Sequence, residues 1–511
     1  MNHESISFVD DEIFLQDTVH ASSVSSQHLR LKNKHLVERF LRETDTTKSL
    51  LLWLENSGAS LQGLDKHHVY PLLLKAVNEI DRKLEKQLNA IIHHPSLQQL
   101  EASWRGVLYL VEQKERCDKA DKVKVKLLDC SWRTLCKDIN KAIEFDQSEF
   151  FKLVYNNEFD MSGGEPFGAI VGDYMIGNRQ QSGQSINDIE VLKEISRTAA
   201  AAFSPFIASV SPTFFGADDF SDLAYSTDYS DTFEQLEYIK WHALRAMDDA
   251  RFIGLTLPQI LMRPPYKIDG LRSEGFKFKE HIDDPQRHHL WGSAAYAFAG
   301  VLIRAFSDSG WFGQIRGMQP GQKKKGLVCD LPVCQYETDL YRQRAKPSVN
   351  LLVSDSAEKS LSDQGFIPLS PIPGCEHLVF YSNASVQKPQ SYERLEDNIN
   401  AKLSAMLQYI LCVSRFAHYI KVLGRDKIGS SSSAEQCQAE LQKWLHQYTT
   451  ASESATDEVR SKYPLRSAQV QVKEMRGKPG HFYSIIQLQP HFQLDQMVSS
   501  IKLVTELTPR N

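Results

Sequence analysis

Five glycines fall within the seventeen residues from Met161 to Gly177, MSGGEPFGAIVGDYMIG. A glycine loop that leaves a strand and opens a helix binds phosphate, because the unpaired N–H groups of the helix then point at the anion. Gly163 and Gly168 have the five-residue separation of such a loop, yet Ala169 and Ile170 stand where it needs Lys and Ser or Thr. The charge and the magnesium ligand are therefore both missing. The residues after Gly168 form an apolar, partly β-branched run, and Pro166 biases the residue before it toward extended backbone. The glycines enter a strand and do not leave one, which predicts a tight turn with close backbone packing at Gly163 and Gly168.

Other residue types capable of chemistry are arranged less pointedly. The chain has neither a GxSxG nucleophile elbow nor an HExxH zinc motif. His67–His68, His93–His94 and His288–His289 are sequence neighbours, and neighbours do not share a helix face as a zinc-binding i, i+4 pair does. Asp218–Asp219, Asp248–Asp249 and Asp283–Asp284 would serve acid–base or metal chemistry only if brought together in space, and otherwise read as caps and solvated turns. Cys329 and Cys334 flank a strand-like piece and have no second ligand close in sequence, so packing is the expectation. No catalytic residue, cofactor site or metal site is predicted.

A chain of 511 residues is long enough for two or more domains. Its 59 basic and 64 acidic residues balance too closely to attract nucleic acid or an anionic membrane over the whole surface. The one basic run, Lys323–Lys325, sits between glycines and reads as a solvated loop. Eight cysteines without a CxxC pair suggest reduced thiols. The beginning, MNHESISFVDDEIFLQD, is acidic and lacks the apolar core of a secretory signal, which leads to the expectation of a cytoplasmic protein. The longest apolar run, Ala294–Ile303, ends at Arg304 at half the length a bilayer needs, so a buried helix is predicted there.

The elements follow from periodicity. Residues 1–35 are polar and Ser-rich and read as a flexible arm, with Ile6 and Phe8 alternating with serines as in a short strand. Helices are predicted from near Leu36 and over about Val69–Ile92. A further helix begins after Pro95, with Ser96 and Gln99 at capping-box spacing. Within it Leu97, Leu100, Trp104, Val107 and Val111 share one face, and Gly106 requires a closely packed neighbour. From Val123 (VKVKLLDC) onward strands and helices alternate, which predicts an α/β region within residues 36–390. Residues 391–511 form the second predicted domain. It opens with one helix over Tyr392–Leu423, about 48 Å long at ~1.5 Å per residue. After a linker at Ser430–Ser433 and another helix it ends in strands at Gln469–Glu474, His481–Leu488 and Ile501–Leu507. In the last of these Ile501, Leu503, Thr505 and Leu507 share one side.

Six stretches together resemble the large sheath subunit of the bacterial type VI secretion system, the VipB/TssC (EvpB) family. They are LNAIIHHPSLQQLEASWRGVLYLV (88–111), MSGGEPFGAIVGDY (161–174), LPQILMRPPY (257–266), WGSAAYAFAGVLIRAF (291–306), SRFAHYIKVLGRDKIGS (414–430) and PHFQLDQMVSSIKLVTEL (490–507). The resemblance implies a mixed α/β, two-domain contractile tail-sheath fold with extended terminal arms. It implies a non-enzymatic structural protein that pairs with a small sheath subunit and stacks with its own copies as a helical sheath around an inner tube of hexamers. The baseplate and an AAA+ unfoldase that dismantles the contracted sheath are the further implied partners. The positions matching the family's strand-linking arms are Ile6 and Phe8 at one end and Ile501, Leu503, Thr505 and Leu507 at the other. Two other readings share some of the features: the sheath of a phage-tail-like particle, and a nucleotide-binding α/β enzyme using the glycine loop.

Overall fold

The computed structural model describes residues 35, 37–56, 65–161, 163–178, 187–268, 275–313, 315–317, 326–335, 345–372, 375, 377–427, 434–452, 455–474, 482–491 and 501–507. Ile6, Phe8, the Lys323–Lys325 run and the Ser430–Ser433 linker lie outside the described residues. The chain divides into two units between Leu84 and Glu85. Ahead of the division lie helix α1 (Thr46–Asn56) and most of α2 (Lys66–Ile92), the latter with no buried residue.

The second unit is built on a six-stranded sheet. Helices α3 (Pro95–Glu115) and α4 (Trp132–Lys141) precede it. Its first strands are β1 (Ile170–Ile176), β2 (Phe206–Val210) and β3 (Ile253–Leu257), with α5 (Asp188–Ala202) crossing between β1 and β2. A hairpin of β4 (Ile260–Arg263) and β5 (Leu290–Gly292) leads into α6 (Ala294–Ser309). Next along the chain come β6 (Leu327–Val328), the small pair β7 (Cys334–Gln335) and β8 (Ala345–Lys346), then β9 (Ile367–Pro371) and β10 (Leu378–Phe380). The strand order is β1-β2-β3-β9-β10-β6; the first four are parallel, and β10 runs antiparallel to both neighbours.

Burial on both faces explains the composition of the inner strands. Phe206, Ala208 and Val210 of β2 pack into the core that holds Leu192 and Ile195 of α5, while the alternate Ile207 joins the core around α6. A strand covered on both sides needs apolar residues at nearly every position, and β2 and β3 are buried throughout. Helix α6 fits the same rule, with 12 of its 16 residues buried. Ser293 caps it by accepting from the Ala295 N–H, and Gly310 ends it in the left-handed region at φ 82°.

Three expectations need correction. VKVKLLDC is extended but pairs with no strand among the described residues, so Val123–Cys130 is not a member of the sheet. Helix α3 is capped by His94, whose Nδ1 accepts from Ser96 N–H at 3.3 Å with Pro95 in the first turn, in place of a Ser96–Gln99 box. The predicted rod over 392–423 is helical in two pieces, α7 (Leu395–Ser404) and α8 (Leu407–Lys427). At the break Ser385 N–H and Oγ both donate to Ala405 O, while Leu407 N–H donates to Asn383 O. Those tertiary bonds replace the helical bonds that a continuous rod would make.

Beyond α8 and α9 (Ala434–His446) lies an antiparallel meander of β11 (Leu465–Glu474), β12 (Phe482–Pro490) and β13 (Ile501–Leu507), in the order β11-β12-β13. It shares a core with α8 and α9 that includes Phe416, Leu445 and Ile486.

Candidate assembly site

The glycine loop does cradle an anion, and the anion is the chain's own. Glu158 Oε2 accepts the Glu165 N–H at 2.7 Å, and Glu158 Oε1 takes Lys126 Nζ at 2.6 Å. Gly163 stands at φ +85°, a conformation that side chains disfavour. A Cβ at Gly168 would lie 3.0 Å from the ring of Phe312. The glycines thus fold the backbone closely against Glu158 and Phe312, and the chain then runs into β1.

The paired titratable residues are also used structurally. His93 stacks on His288 with ring centroids 4.3 Å apart and bonds Glu280 at 3.1 Å. Glu280 is held by Arg263 at 2.5 Å and by the Tyr266 N–H at 2.9 Å; Arg263 reaches on to Glu101 at 2.9 Å. Burial opposes ionisation of Glu280, but these donors outweigh it and hold its carboxyl below the ordinary range. The network ties β4 to α3. Asp284 caps the short helix beginning at Pro285 through the Gln286 N–H, and Asp248 bonds Arg251. Among the described residues no group of three His, Cys, Asp or Glu side chains is placed to hold a metal ion.

A groove opens along the free side of β1. It encloses about 2090 Å³ and is lined by Gln99 and Trp104 of α3, Val125 and Leu127 of the extended segment, Val171 of β1 and Phe306 of α6. That is about twice the upper size of small-molecule pockets, ~1,000 Å³, and so suits a length of polypeptide. Val123 and Val125 pack against the α6-side core, while Leu127 and Leu128 are 64% and 58% exposed. The segment is pinned beside β1 without pairing to it: Lys124 bonds Glu165 at 2.5 Å, and Tyr174 OH donates to Cys130 O at 2.6 Å. Trp104 points outward at 64% exposure, with Leu100 and Val111 on the same exposed face. Gly106 faces the other way, against Tyr296 of α6.

The meander has two dissimilar edges. On the β11 edge, Val470 N–H donates to Gln442 Oε1 at 2.8 Å, Val472 N–H to Gln438 Oε1 at 3.0 Å, and Gln442 Nε2 donates to Ala468 O at 2.8 Å. Glutamines of α9 thereby close that edge. The opposite edge is β13, which carries Ile501, Leu503, Thr505 and Leu507 in register with Leu488, Ile486, Ser484 and Phe482.

The family model described as “EvpB/VC_A0108, tail sheath N-terminal domain” matches residues 74–387, and “EvpB/VC_A0108, tail sheath gpW/gp25-like domain” matches residues 396–507. The chain belongs to the tail sheath family. A relative in this family, “Type VI secretion system sheath protein TssC1” of Pseudomonas aeruginosa, is 36% identical over 432 residues, covering 84% of each chain. The first family model ends in the segment before α7, and the second takes in α8, α9 and the meander.

For a tail sheath protein the informative surfaces are those that one chain leaves unfinished. The outward apolar face of α3 was legible as a stripe, but periodicity alone does not tell which side of a helix the core takes. The stripe lies outside, while Ala102, Gly106, Tyr109 and Leu110 are buried. The unpaired VKVKLLDC run carried a usable signal: a strand-like sequence whose partner is not supplied by the described residues. The Gln442 and Gln438 closure of β11 had none, because glutamines at i and i+4 on a helix look like ordinary solvated surface.

Proposed function

We infer that the protein is a structural, non-enzymatic subunit of the contractile sheath of a type VI secretion system, acting in the bacterial cytoplasm. The observation that carries this is the tandem match of both tail sheath family models along most of the chain. Family membership implies pairing with a small sheath subunit and polymerisation with further copies. The groove beside β1 supports a docking place for the small subunit, since an edge strand and an unpaired extended segment both offer main-chain groups to an incoming chain.

In this reading the chain comprises an arm (1–35), an α/β sheath domain (36–390) and a C-terminal domain (391–511). Ile6, Phe8, Ile501, Leu503, Thr505 and Leu507 belong to linking strands between subunits. The closed β11 edge supports β13 as the side on which a neighbour's strand adds. The inner tube, baseplate and AAA+ unfoldase complete the set of partners, and no nucleic acid, cofactor or metal takes part. No helix among the described residues is long and apolar enough to cross a membrane.

The test is co-expression with the small sheath subunit followed by negative-stain microscopy. Tubules with a cogwheel cross-section are expected, and the large chain expressed alone is expected to be poorly soluble. A soluble monomer that ignores the small subunit would overturn the reading. Removing residues 1–20 is expected to leave the heterodimer soluble and abolish long sheaths.

A further inference from the structure

Arg415 lies on α8 where that helix borders the groove. Its contacts are long: Nη1 is 3.5 Å from Pro166 O and from His418 Nδ1, and Nη2 is 3.4 Å from Tyr419 OH. Its Nε is buried without a hydrogen-bond partner among the described residues. The guanidinium lies over the rings of Tyr419 at 4.9 Å and Phe306 at 5.3 Å, which fix its plane and leave its donor edge underused. It makes no ion pair with any described residue.

Two other enclosed arginines of the same unit are satisfied. Arg263 is bonded by Glu280 and Glu101, and Arg245 by Val386 O, Asp363 O and Gln364 Oε1. On the groove wall Lys124 and Lys126 are likewise neutralised, by Glu165 and Glu158. Arg415 is the exception among these. A planar guanidinium presents a fork of donors that matches a carboxylate, and burying it beneath a partner without one would be costly.

We propose that the segment of the small sheath subunit filling this groove carries a carboxylate that pairs with Arg415 at the start of β1. The proposal rests on the docking reading given above and adds the chemistry of the occupant. The position suits it: the Arg415 contact at Pro166 lies just before Ile170, so a chain running along β1 passes the guanidinium at one end. Apolar side chains would meet Val125, Leu127 and Phe306, and one acid would meet the cation.

The experiment has two arms, both on the full-length chain with the small subunit. A photo-crosslinking residue at Leu127 reports what occupies the groove. In parallel, binding is measured for Arg415→Lys, Arg415→Gln and Arg415→Glu. The crosslink is expected on the small subunit, with Arg415→Glu weakening association by at least about 30-fold and Arg415→Lys by less. Because Arg415 also packs on aromatic rings, a scan of small-subunit acids to Lys against the unaltered chain gives a reading free of folding effects. One such Lys is expected to weaken binding and to restore it with Arg415→Glu. A small-subunit crosslink with unchanged binding in both scans would overturn this proposal and leave the docking reading standing. A crosslink to a second copy of this chain, or none, would overturn both.

Discussion

The ring of Tyr296 on α6 lies over Gly106 on α3, with its Cδ2 and Cζ each 2.5 Å from where a Cβ at position 106 would stand. The arrangement is reciprocated one turn further along both helices. Tyr109 of α3 covers Gly300 of α6, where a Cβ would be 2.8 Å from its Cε1. Tyr109 OH donates to Cys329 O at 3.1 Å, so that ring is anchored from both ends. Each glycine admits the other helix's tyrosine.

Gly106→Ala weighs two opposed effects. Ala gains up to about 1 kcal/mol of helix propensity over Gly. The overlap with an enclosed ring costs about 1–3 kcal/mol. The overlap wins, and a net loss of up to about 2 kcal/mol is expected in urea unfolding. Combining Gly106→Ala with Tyr296→Leu should cost less than the sum of the two single changes, since the clash is removed. Additive costs would show that the ring yields freely and that the packing argument is wrong.

His418 gives the fold a pH dependence whose sign is determined by burial. Burial is the largest cause and the Arg415 charge the second, and together they lower its pKa from 6.5 to about 3. Its Nε2–H donates to Ala202 O at 2.9 Å, which favours the charged ring, but burial and the Arg415 charge outweigh that bond and keep the folded ring neutral. The unfolded chain takes up a proton below about 6.5 and the folded one only near 3. Stability from this group is thus fully present above pH 6.5 and falls as the pH drops toward 3. Between pH 7 and 5 the loss is about 2 kcal/mol at ~1.4 kcal/mol per pH unit. Comparing urea midpoints of the parent and His418→Gln over that range should show the smaller slope in the variant. Equal slopes would mean the ring is solvated.

The parts of the fold that sequence revealed are those in which one chain satisfies itself. The apolar, partly β-branched run after Gly168 marked β1, because a strand within the body of the protein needs apolar side chains. The length of the Ala294–Ile303 run marked a buried helix for the same reason. Resemblance located the tail sheath architecture as a whole. The misreadings concern bonds made at a distance. Ala405 ends α7 because Ser385 claims its carbonyl, a contact invisible in a helical heptad pattern. Val123–Cys130 reads as a strand and finds no neighbour, and Leu100 and Trp104 form an apolar stripe with nothing described above it. The candidate site was legible only as these loose ends.

Strand addition at β13 makes a paired prediction. In an antiparallel ladder, successive N–H groups point to opposite sides of a strand. Of Val504 and Thr505, paired with Ile485 and Ser484, one therefore donates toward β12 and the other toward the open edge. Proline removes one donor at a time. One of Val504→Pro and Thr505→Pro should disturb the meander, seen as lost solubility of the heterodimer. The other should leave the heterodimer soluble and shorten the sheath in negative stain. If both prolines permit full-length sheaths, β13 is not the linking edge.

Glu158 decides between a self-satisfied turn and a latent nucleotide site. Its carboxylate occupies the Glu165 N–H and Lys126 Nζ, the two donors an incoming phosphate would need. In the parent protein labelled ATP and GTP are therefore expected not to bind. Glu158→Ala leaves the Glu165 N–H and the half-exposed lysine to water, at about 0.5–1.5 kcal/mol for each hydrogen bond lost. The variant should unfold at lower urea, yet it should still not bind nucleotide, because Ala169 and Ile170 supply neither the lysine nor the hydroxyl that hold a triphosphate and its magnesium. Saturable ATP binding by either protein would restore the phosphate reading of the loop. A stability loss alone would confine the glycines to shaping the approach to β1.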